Sequence, residues 1–369
     1  LNCFKREHPN AVIVLTGCMV QAMGEKAQEI TGADIIAGNT DIRKIVSLVE
    51  EYRENVKKIV EICPHTGEES FNTPGISSFA EHTRAFMKIE DGCERFCTYC
   101  IIPYARGFVR SKPPEEIYKE AAELAKNGYL EIVLVGINLS SYGKDNGLNL
   151  CDAVDTVCRV DGIKRVRLGS LEPDHISDEM LNRLKAQDKF CPQFHLSLQS
   201  GCDATLKRMN RHYDTAFYFD LVQRIRKIFP DAAISTDIMV GFPGETEQEF
   251  SESIGFLKKI GFARTHVFAY SRRSGTMADK MPDQIPKAVK TARSREMIAA
   301  ATVCEQEFLK AQIGKEVSVL FETFEDGVAF GYTKNYIRVG VAGTQSLSGQ
   351  IKNVKITKAL SDRCEGVPV

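Results

Sequence analysis

The amino-acid sequence predicts an α/β protein centred on a partial (β/α)6 barrel, with a truncated α/β domain before it and a small antiparallel β-barrel after it. Three observations lead to this prediction. Apolar runs of strand length alternate with helical patterns between residues 85 and 270, a segment rich in proline and glycine precedes them, and the apolar period changes to two after Gly314. The predicted boundaries are 1–63 for the first domain, 64–84 for a linker, 85–312 for the barrel with a long helix, and 313–362 for the last domain.

The first predicted domain begins abruptly. Residues 11–15 form an unbroken apolar run closed by Thr16 and Gly17, which is typical of a buried parallel strand. Helical patterns follow near residues 22–30 and 41–54. We therefore expect an α/β unit from which the first strands have been cut off. Residues 64–84 contain Pro, Gly, Ser and Thr without a period, which indicates a linker.

The central region has the most regular pattern. Its predicted strands are residues 85–89, 131–136, 165–169, 194–199, 233–240 and 265–270, and its predicted helices lie near 114–127, 149–160, 177–188, 214–229 and 246–260. Because strands and helices alternate, we expect a parallel sheet with right-handed crossovers. Six units are too few for the closed eight-stranded form, so the barrel should be open. Functional residues should then lie where strands end and loops begin.

The C-terminal region changes its character twice. Residues 287–312 read as one amphipathic helix. Four segments with a period of two follow, at residues 316–323, 327–333, 337–341 and 351–358, and turn residues separate them. This pattern predicts a small antiparallel β domain, in the form of a barrel.

Composition restricts the class of protein. The chain has 369 residues, a net charge of −1 and 12 cysteines. Since a disulfide framework belongs to short secreted chains, this cysteine usage indicates a reducing compartment, the cytoplasm. No apolar run approaches the roughly 18 residues of a membrane span. Residues 264–360 carry 15 Lys and Arg against 9 Asp and Glu, which permits an acidic partner on this side.

Three cysteines follow the first strand of the predicted barrel. Cys93, Cys97 and Cys100 are spaced so that one short loop can place three thiolates around a single centre. A 4Fe–4S cluster held by three thiolates keeps one iron without a protein ligand, and S-adenosylmethionine (SAM) can chelate that iron. The alternative is a structural zinc site, which needs four ligands and is usually built from two pairs. No second pair is visible in the sequence.

The cysteine segment also resembles a known family. Residues 91–107, DGCERFCTYCIIPYARG, resemble the radical-SAM methylthiotransferases, and the similarity covers essentially the whole chain. Supporting blocks are VGIN at 135–138, LSLQSG at 196–201, LKRM at 206–209 and TDIMVGFPGET at 236–246. The last domain is similar to the RNA-binding TRAM module. Residues 97–107 and GYTKNYIRV at 331–339 most resemble the MtaB branch, which methylthiolates N6-threonylcarbamoyladenosine beside the tRNA anticodon.

The resemblance implies a set of cofactors and partners. One SAM would supply a methyl group and a second the radical that removes hydrogen, with tRNA as substrate. A flavodoxin or ferredoxin would donate electrons, and the protein would be a monomer. In this family three N-terminal cysteines hold a second 4Fe–4S cluster. Cys18 matches the third of them, whereas Cys3 is only a weak candidate for another.

Strand ends supply the candidate SAM-binding residues, and no side chain is expected to act as a general acid or base. They are Tyr99, Gly136, Asn138, Ser170, Glu172, Gln199, Ser200 and Asp237. Glycine allows close approach of the backbone, polar groups can meet ribose or amino groups, and an acid within a buried strand needs a partner. Each position also has a plain structural alternative, such as a strand-to-loop turn, a solvated cap or packing.

RNA contact is expected after the sixth strand and in the last domain. The candidates are Arg272, Arg273, Tyr332, Lys334, Tyr336 and Arg338, and further phosphate partners are Lys315, Lys352, Lys355 and Lys358. Arginine and lysine bind phosphates, and tyrosine rings offer stacking faces for exposed bases. The alternative is that each charge lies on a solvated face. His195 and His266 are expected to be core residues.

Two other functions remain open at this stage. The first is a radical-SAM methylthiotransferase that acts on another tRNA adenosine or on a ribosomal protein. The second is a non-catalytic, zinc-containing RNA-binding protein, which would use the same cysteines without iron.

Overall fold

The N-terminal unit is a small α/β layer. The computed structural model describes residues 1–78, 83–343 and 347–369, so part of the predicted linker, residues 79–82, lies outside the described residues. Three parallel strands form one sheet in chain order: β1 Val14–Thr16, β2 Ile35–Ala37 and β3 Ile59–Glu61. The helices are α1 Asn2–Glu7, α2 Cys18–Met23 and α3 Ile45–Asn55. The predicted first strand was wrong in its start, since residues 11–13 precede the ladder.

Eight strands build the central unit. They are β4 Ala85–Asp91, β5 Arg110–Ser111, β6 Glu131–Gly136, β7 Arg165–Leu168, β8 Ser170–Leu171, β9 Gln193–Leu196, β10 Ala233–Val240 and β11 Arg264–Ala269. They form two sheets, ordered β5-β4-β6-β7 and β11-β10-β9-β8, and a parallel bridge between Val166 and Phe190 joins the sheets. The long strands are parallel, as predicted, and β11 is an edge strand. The result is an open barrel.

Helices alternate with these strands, and the longer ones cover the outside of the barrel. The helices are α4 Ile102–Arg106, α5 Pro114–Lys126, α6 Leu150–Cys158, α7 Asp178–Lys185, α8 Asp203–Arg208, α9 Thr215–Ile228, α10 Glu247–Ile260 and α11 Lys287–Lys310. Apolar side chains such as Met87 and Leu134 face the helices and are fully buried against Ile117 and Leu124. Helix α10 begins with a capping box, in which the Thr246 hydroxyl accepts from the Glu249 amide at 3.2 Å. The short elements α4, β5, α8 and β8 were not predicted.

The C-terminal unit is a closed five-stranded barrel. Its strands are β12 Glu316–Glu325, β13 Val328–Thr333, β14 Arg338–Ala342, β15 Ile351–Ala359 and β16 Cys364–Pro368, and they close in the order β12-β13-β14-β16-β15. The predicted domain end at residue 362 was therefore too early, because β16 completes the barrel. Most pairings are antiparallel, whereas β14 and β16 run parallel. None of the helices in the described ranges combines the length and apolarity that a membrane-spanning segment needs.

Buried arginines join the two barrels. The Arg165 side chain, 1% exposed, donates hydrogen bonds to the Ser318 and Tyr332 carbonyl oxygens, both at 2.8 Å. Arg167 forms an ion pair with Glu131 at 2.7 Å. Arg165 is the first residue of β7 and Arg167 is the third, so both lie toward the amino ends of the barrel strands. The C-terminal barrel is thus attached at the amino ends of the strands of the partial barrel. The predicted site lies at the opposite, carboxyl ends of those strands.

The predicted RNA-stacking tyrosines lie in this junction. Their rings, Tyr332 and Tyr336, stack on each other with centroids 4.7 Å apart. The guanidinium of Arg84 lies 4.9 Å from the centre of the Tyr332 ring, and that of Arg167 lies 4.8 Å from the Tyr336 ring. Each ring therefore already has protein partners. Stacking of these rings on RNA bases stays a prediction.

Two predicted RNA-binding cations are also engaged within the chain. Lys334 donates through Nζ to the Asp188 carbonyl oxygen at 2.5 Å, and the guanidinium of Arg338 lies over the Phe330 ring at 4.5 Å. Both residues therefore contribute to the fold of the C-terminal barrel and its docking, whatever their role toward RNA. The sequence could not reveal these contacts, since their partners are distant in the chain or on a neighbouring strand.

The arginine junction allows a direct test of stability. We expect Arg165→Met to lower the free energy of unfolding by about 3 kcal/mol, because buried carbonyl oxygens and Glu131 lose a charged donor. Urea unfolding would measure this loss, and limited proteolysis would report release of the C-terminal barrel. Arg159→Met, at an exposed position, serves as the control. Equal stability of the two variants would contradict the role of Arg165.

Candidate active site

The cysteine loop begins at the carboxyl end of β4 and is fixed by backbone hydrogen bonds. The Cys93 amide donates to the Gly107 carbonyl oxygen at 3.0 Å, and the Cys100 amide donates to that of Cys97 at 2.9 Å. Gly92 has φ +95°, and a Cβ there would lie 1.8 Å from the Phe108 carbonyl oxygen. Only glycine allows the turn that leads from the strand into the loop.

More distant elements clamp the middle of the loop. The Thr98 amide donates to the Met209 carbonyl oxygen at 3.1 Å, and the Ala278 amide donates to that of Thr98 at 2.8 Å. The Asn210 side chain reaches the Phe96 carbonyl oxygen at 3.1 Å. The segments that follow α8 and β11 therefore fix the cysteine loop in place at the carboxyl ends of the barrel strands.

The three thiols form one electrostatic group. Burial raises the pKa of Cys93 to about 12, and the neighbouring Cys97 and Cys100 contribute to the rise. Burial also raises the pKa of Cys100, whereas Arg273 and Arg211 oppose that rise. Cys97 is buried and the other two are partly buried, so three thiolates here would repel one another and need positive charge, which the irons of a 4Fe–4S cluster supply. The donor set therefore fits this cluster with three protein ligands.

The alternative to an iron–sulfur cluster is a site for a single metal ion. Within the described ranges, no three His, Cys, Asp or Glu side chains converge closely enough to hold one metal ion. A structural zinc site would need a tight set of four such ligands.

Arg211 is a site residue that sequence reasoning missed. It is 9% exposed and donates to the Cys97 sulfur at 3.2 Å, to the Tyr99 hydroxyl at 3.4 Å and to the Ser197 carbonyl oxygen at 3.1 Å. It also forms an ion pair with Glu172. The cation thus connects the cysteine loop with two strand ends. No local pattern marks it, because it lies in an irregular segment after α8.

Several predicted cofactor residues come together around this arginine. Glu172 follows β8, and its amide donates to the Ser140 hydroxyl at 2.8 Å. Ser170 lies 3.1 Å from Ser197, measured between their hydroxyl oxygens. Tyr99 is partly buried against the apolar cluster that includes Phe242. These side chains line the same edge of the barrel as the cysteine loop.

The predicted cofactor residues that follow β9 or lie on β10 have structural partners. The Gln199 amide donates to the Asp237 carbonyl oxygen at 2.8 Å, and the Gln199 backbone has φ +69°. The Asp237 carboxylate lies 3.1 Å from Nε2 of His195. The Ser200 hydroxyl accepts from the Cys202 amide at 3.3 Å, at the start of α8. Roles of these residues in SAM binding stay predictions.

The loop after β6 is built around a buried acid. A Cβ at Gly136 would lie 2.5 Å from an oxygen of Glu90, which is fully buried, so glycine is required there. The Asn138 amide donates to Glu90 Oε2 at 2.7 Å, and the Asn138 side chain donates to Ser141 at 2.8 Å. Both Glu90 Oε1 and Asn138 Oδ1 are buried without a hydrogen-bond partner in the described structure. No pattern in the sequence indicates this arrangement.

Cys18 lies close to the cysteine loop of the barrel. It begins α2, and its sulfur accepts from Arg106 Nε at 3.0 Å. Arg106 ends α4 and also approaches Asp91 at 3.5 Å. Cys3 is exposed on α1. Cys18 therefore contacts the segment that follows the three cysteines, and its role as a ligand of a second cluster stays a prediction.

The two arginines after β11 differ in their surroundings. Arg272 forms an ion pair with Asp279 at 2.9 Å. Arg273 is exposed and lies near enough to lower the pKa of the Cys100 thiol. Both remain candidates for phosphate contact at the rim of the site, although the first already has a carboxylate partner.

The cysteines give a prediction on metal content. We expect replacement of Cys93, Cys97 or Cys100 by Ala to remove most of the barrel-bound iron, because two thiolates are too few to anchor a 4Fe–4S cluster. Iron analysis and the visible spectrum after anaerobic reconstitution would measure this. Cys151→Ala, at a buried cysteine of α6, is the control. Full iron content in any of the three variants would contradict the assignment.

Glu90 gives a prediction on pH dependence. Burial raises its pKa to about 8, with Asp91 adding to the rise and the Asn138 amide and Lys88 opposing it. The folded state therefore binds the Glu90 proton more tightly than the unfolded state does. The contribution of this proton to stability is fully present below the unfolded pKa and is lost as the pH rises through about 8. Relative to its effect at pH 5, Glu90→Gln should therefore stabilise the protein at pH 8 by roughly 4 kcal/mol.

Chemical unfolding of the protein without iron at both pH values would measure the effect of Glu90→Gln. Glu123→Gln changes an exposed glutamate of α5 and should show no such pH dependence. An equal effect of Glu90→Gln at pH 5 and pH 8 would show that this carboxyl group does not titrate in that range.

Comparisons with known proteins agree with this geometry. The Radical SAM superfamily matches residues 87–257, which include the cysteine loop and β6 to β10. The chain is 39% identical to threonylcarbamoyladenosine tRNA methylthiotransferase MtaB of Bacillus subtilis over 364 residues, covering 96% of this chain and 80% of that protein. It is 37% identical to tRNA-2-methylthio-N(6)-dimethylallyladenosine synthase of Clostridium botulinum, covering 98% and 82%. The chain therefore belongs to the MtaB-like radical SAM methylthiotransferase family, whose cofactors are 4Fe–4S clusters and SAM.

Proposed function

We propose that this enzyme methylthiolates C2 of N6-threonylcarbamoyladenosine next to the anticodon of tRNA. The observation that carries the proposal is the similarity to MtaB, which extends over 96% of the chain and includes both the barrel and the C-terminal unit. The cysteine loop and the cation at Arg211 support the use of a radical SAM reaction at this site. A flavodoxin or ferredoxin as electron donor and a monomeric state belong to the same proposal.

Different residues at this site would have different roles in the reaction. Cys93, Cys97 and Cys100 would hold the cluster, which when bound supplies an electron to SAM and so generates the radical that removes hydrogen. Arg211 fixes the carboxylate of Glu172 beside the loop. The Gly136 turn allows backbone groups to approach the cofactor. The clamped loop keeps these groups in register, and preorganisation of this kind lowers the cost of the reaction.

The C-terminal barrel would supply affinity for tRNA. Three lysines of β15 are exposed: Lys352, Lys355 and Lys358. Lys315 forms an ion pair with Asp231 at 2.6 Å, and Lys334 is engaged at the junction, so these two are weaker candidates. Contacts with phosphates position a nucleic acid but carry little sequence information. The partial barrel, which carries the cysteine loop, would then select the base.

A second candidate function acts on dimethylallyladenosine in tRNA. The supporting observation is the 37% identity to a synthase of that kind over 98% of the chain. The two candidates differ in the N6 substituent, which is apolar in one and carries a carboxylate in the other.

The experiment supplies the reconstituted enzyme with SAM, a sulfur source, a reductant and tRNAs that carry one or the other modified adenosine. Mass spectrometry of the nucleosides should then detect the methylthio derivative of threonylcarbamoyladenosine. A product from dimethylallyladenosine alone would overturn the proposal in favour of the second candidate.

The lysines of β15 give a prediction on RNA binding. We expect Lys352→Glu combined with Lys355→Glu to weaken tRNA binding and to flatten its salt dependence, by about one unit of slope for each phosphate that the protein no longer neutralises. Titration of labelled tRNA at several salt concentrations would measure both. The control reverses the charges of Lys119 and Lys126, which are exposed on α5. Identical affinity and slope in the two double variants would exclude β15 as an RNA surface.

A further inference from the structure

The inside of the partial barrel presents one row of side chains along its edge strand. In the parallel register, Arg264, His266 and Phe268 of β11 lie beside Ser235, Asp237 and Met239 of β10. Residues in register on neighbouring strands point to the same face of the sheet. The rings of His195 and His266 confirm this, since their centroids are 5.9 Å apart across β10.

The opposite face of β11 is covered by helices. Val267 packs against the apolar core, to which α11 contributes Met297, Ala301 and Cys304. The row with Arg264 and His266 therefore faces the interior of the barrel. Both of these residues are exposed, and Phe268 is 54% exposed, because β11 is an edge strand and the barrel is open beside it. The expectation that His266 is a core residue was wrong for this reason.

The row runs from the reacting end of the barrel to its floor. At the carboxyl end, Met239 packs on the same apolar cluster as Tyr99 of the cysteine loop, and Phe268 is level with Met239. His266 lies two residues further down the strand and Arg264 another two, which corresponds to about 7 Å for each step. A base against Phe268 would thus have His266 and then Arg264 beneath it.

The floor is a polar cavity of about 620 Å³. It lies between the barrel strands, α11 and the C-terminal barrel, and its lining includes Gln193, His195, Ser235, Arg264, His266 and Arg338. Ser235 and Asp237 hold His195, each at 3.1 Å. In contrast, the described residues provide no hydrogen bond or ion pair within 4 Å for the guanidinium of Arg264.

Acids also face this cavity. Glu305 and Asp362 line it, and burial raises the pKa of Glu305 while Arg264 opposes that rise. Arg264 is therefore close enough to influence Glu305 without forming a salt bridge with it. A cation in this arrangement retains donors for an anion that enters the cavity.

We propose that Arg264 and His266 bind the carboxylate of the N6 substituent of the target adenosine, while the base lies against Phe268. The proposal rests on the proposed function and deepens it. A threonylcarbamoyl group extends from N6 and ends in a carboxylate, which reaches about one layer below the base, level with His266. Burial lowers the pKa of His266 and the charge of Arg264 lowers it further, so the long Arg264 side chain lies close enough to meet a carboxylate at that level. A dimethylallyl group has no acceptor for these two donors, so it would gain no binding energy from them, whereas a carboxylate would accept charge-assisted hydrogen bonds from both.

The test compares two tRNA substrates, one with the free carboxylate of threonylcarbamoyladenosine and one with its methyl ester. The unmodified enzyme should show a higher kcat/KM for the carboxylate. Arg264→Gln should lower kcat/KM for the carboxylate by about 10- to 100-fold and change that for the ester by less than about threefold, because only the charged partner is removed. Arg264→Lys should restore part of the preference. The control is Arg295→Gln, at an exposed position of α11.

Two outcomes would overturn the proposal in different ways. If Arg264→Gln lowers kcat/KM equally for both substrates, Arg264 has a structural role and the carboxylate assignment is wrong, whereas the proposed function stands. If the unmodified enzyme accepts neither substrate but acts on dimethylallyladenosine tRNA, the proposed function fails and the inference fails with it. Iron content and circular dichroism of each variant ensure that a folding defect is not mistaken for either result.

Discussion

The parallel register of the barrel strands is the constraint on which the rest of the structure depends. Parallel pairing brings the carboxyl ends of β4, β6, β8, β9 and β10 to one edge, although these strands are spread over about 150 residues of sequence. The same register determines which side chains face the interior. The cysteine loop, Glu172 and the polar row on β11 therefore occupy fixed positions relative to one another. The buried arginines at the opposite end complete this arrangement, because they attach the C-terminal barrel without covering the reacting edge.

The sequence predicted the regular parts of this fold well. Strands such as Glu131–Gly136 and Ala233–Val240 have predicted bounds that agree with the structure. In the first of them the continuous apolar run 132–135 is typical of a buried parallel strand. Elements of two to six residues, such as α4 and β8, were missed since so short a segment has no measurable period. The strand Cys364–Pro368 was missed because a terminal strand with glycine and proline does not resemble one until its neighbours are known.

The candidate site shows where sequence reasoning reaches its limit. Cysteine spacing is local, so a cluster-binding loop could be predicted from Cys93, Cys97 and Cys100 alone, and their role as ligands stays a prediction. Arg211 and Glu90 became visible only with the structure, because their importance comes from partners that are distant along the chain. The tyrosines of the C-terminal barrel illustrate the converse. Residue type predicted a solvent-facing platform, whereas tertiary contacts place the rings between arginines.

The contact of Arg211 with both Cys97 and Glu172 has a consequence for electron transfer. A hydrogen bond to a cysteine sulfur lowers the electron density on the ligand and favours the reduced form of an iron–sulfur cluster. Glu172 draws the same guanidinium toward the strand edge. A ligand that takes over the interaction with Glu172 would leave Arg211 more strongly committed to the sulfur. Binding of such a ligand and the reduction potential of a cluster held by Cys97 would thereby be thermodynamically linked.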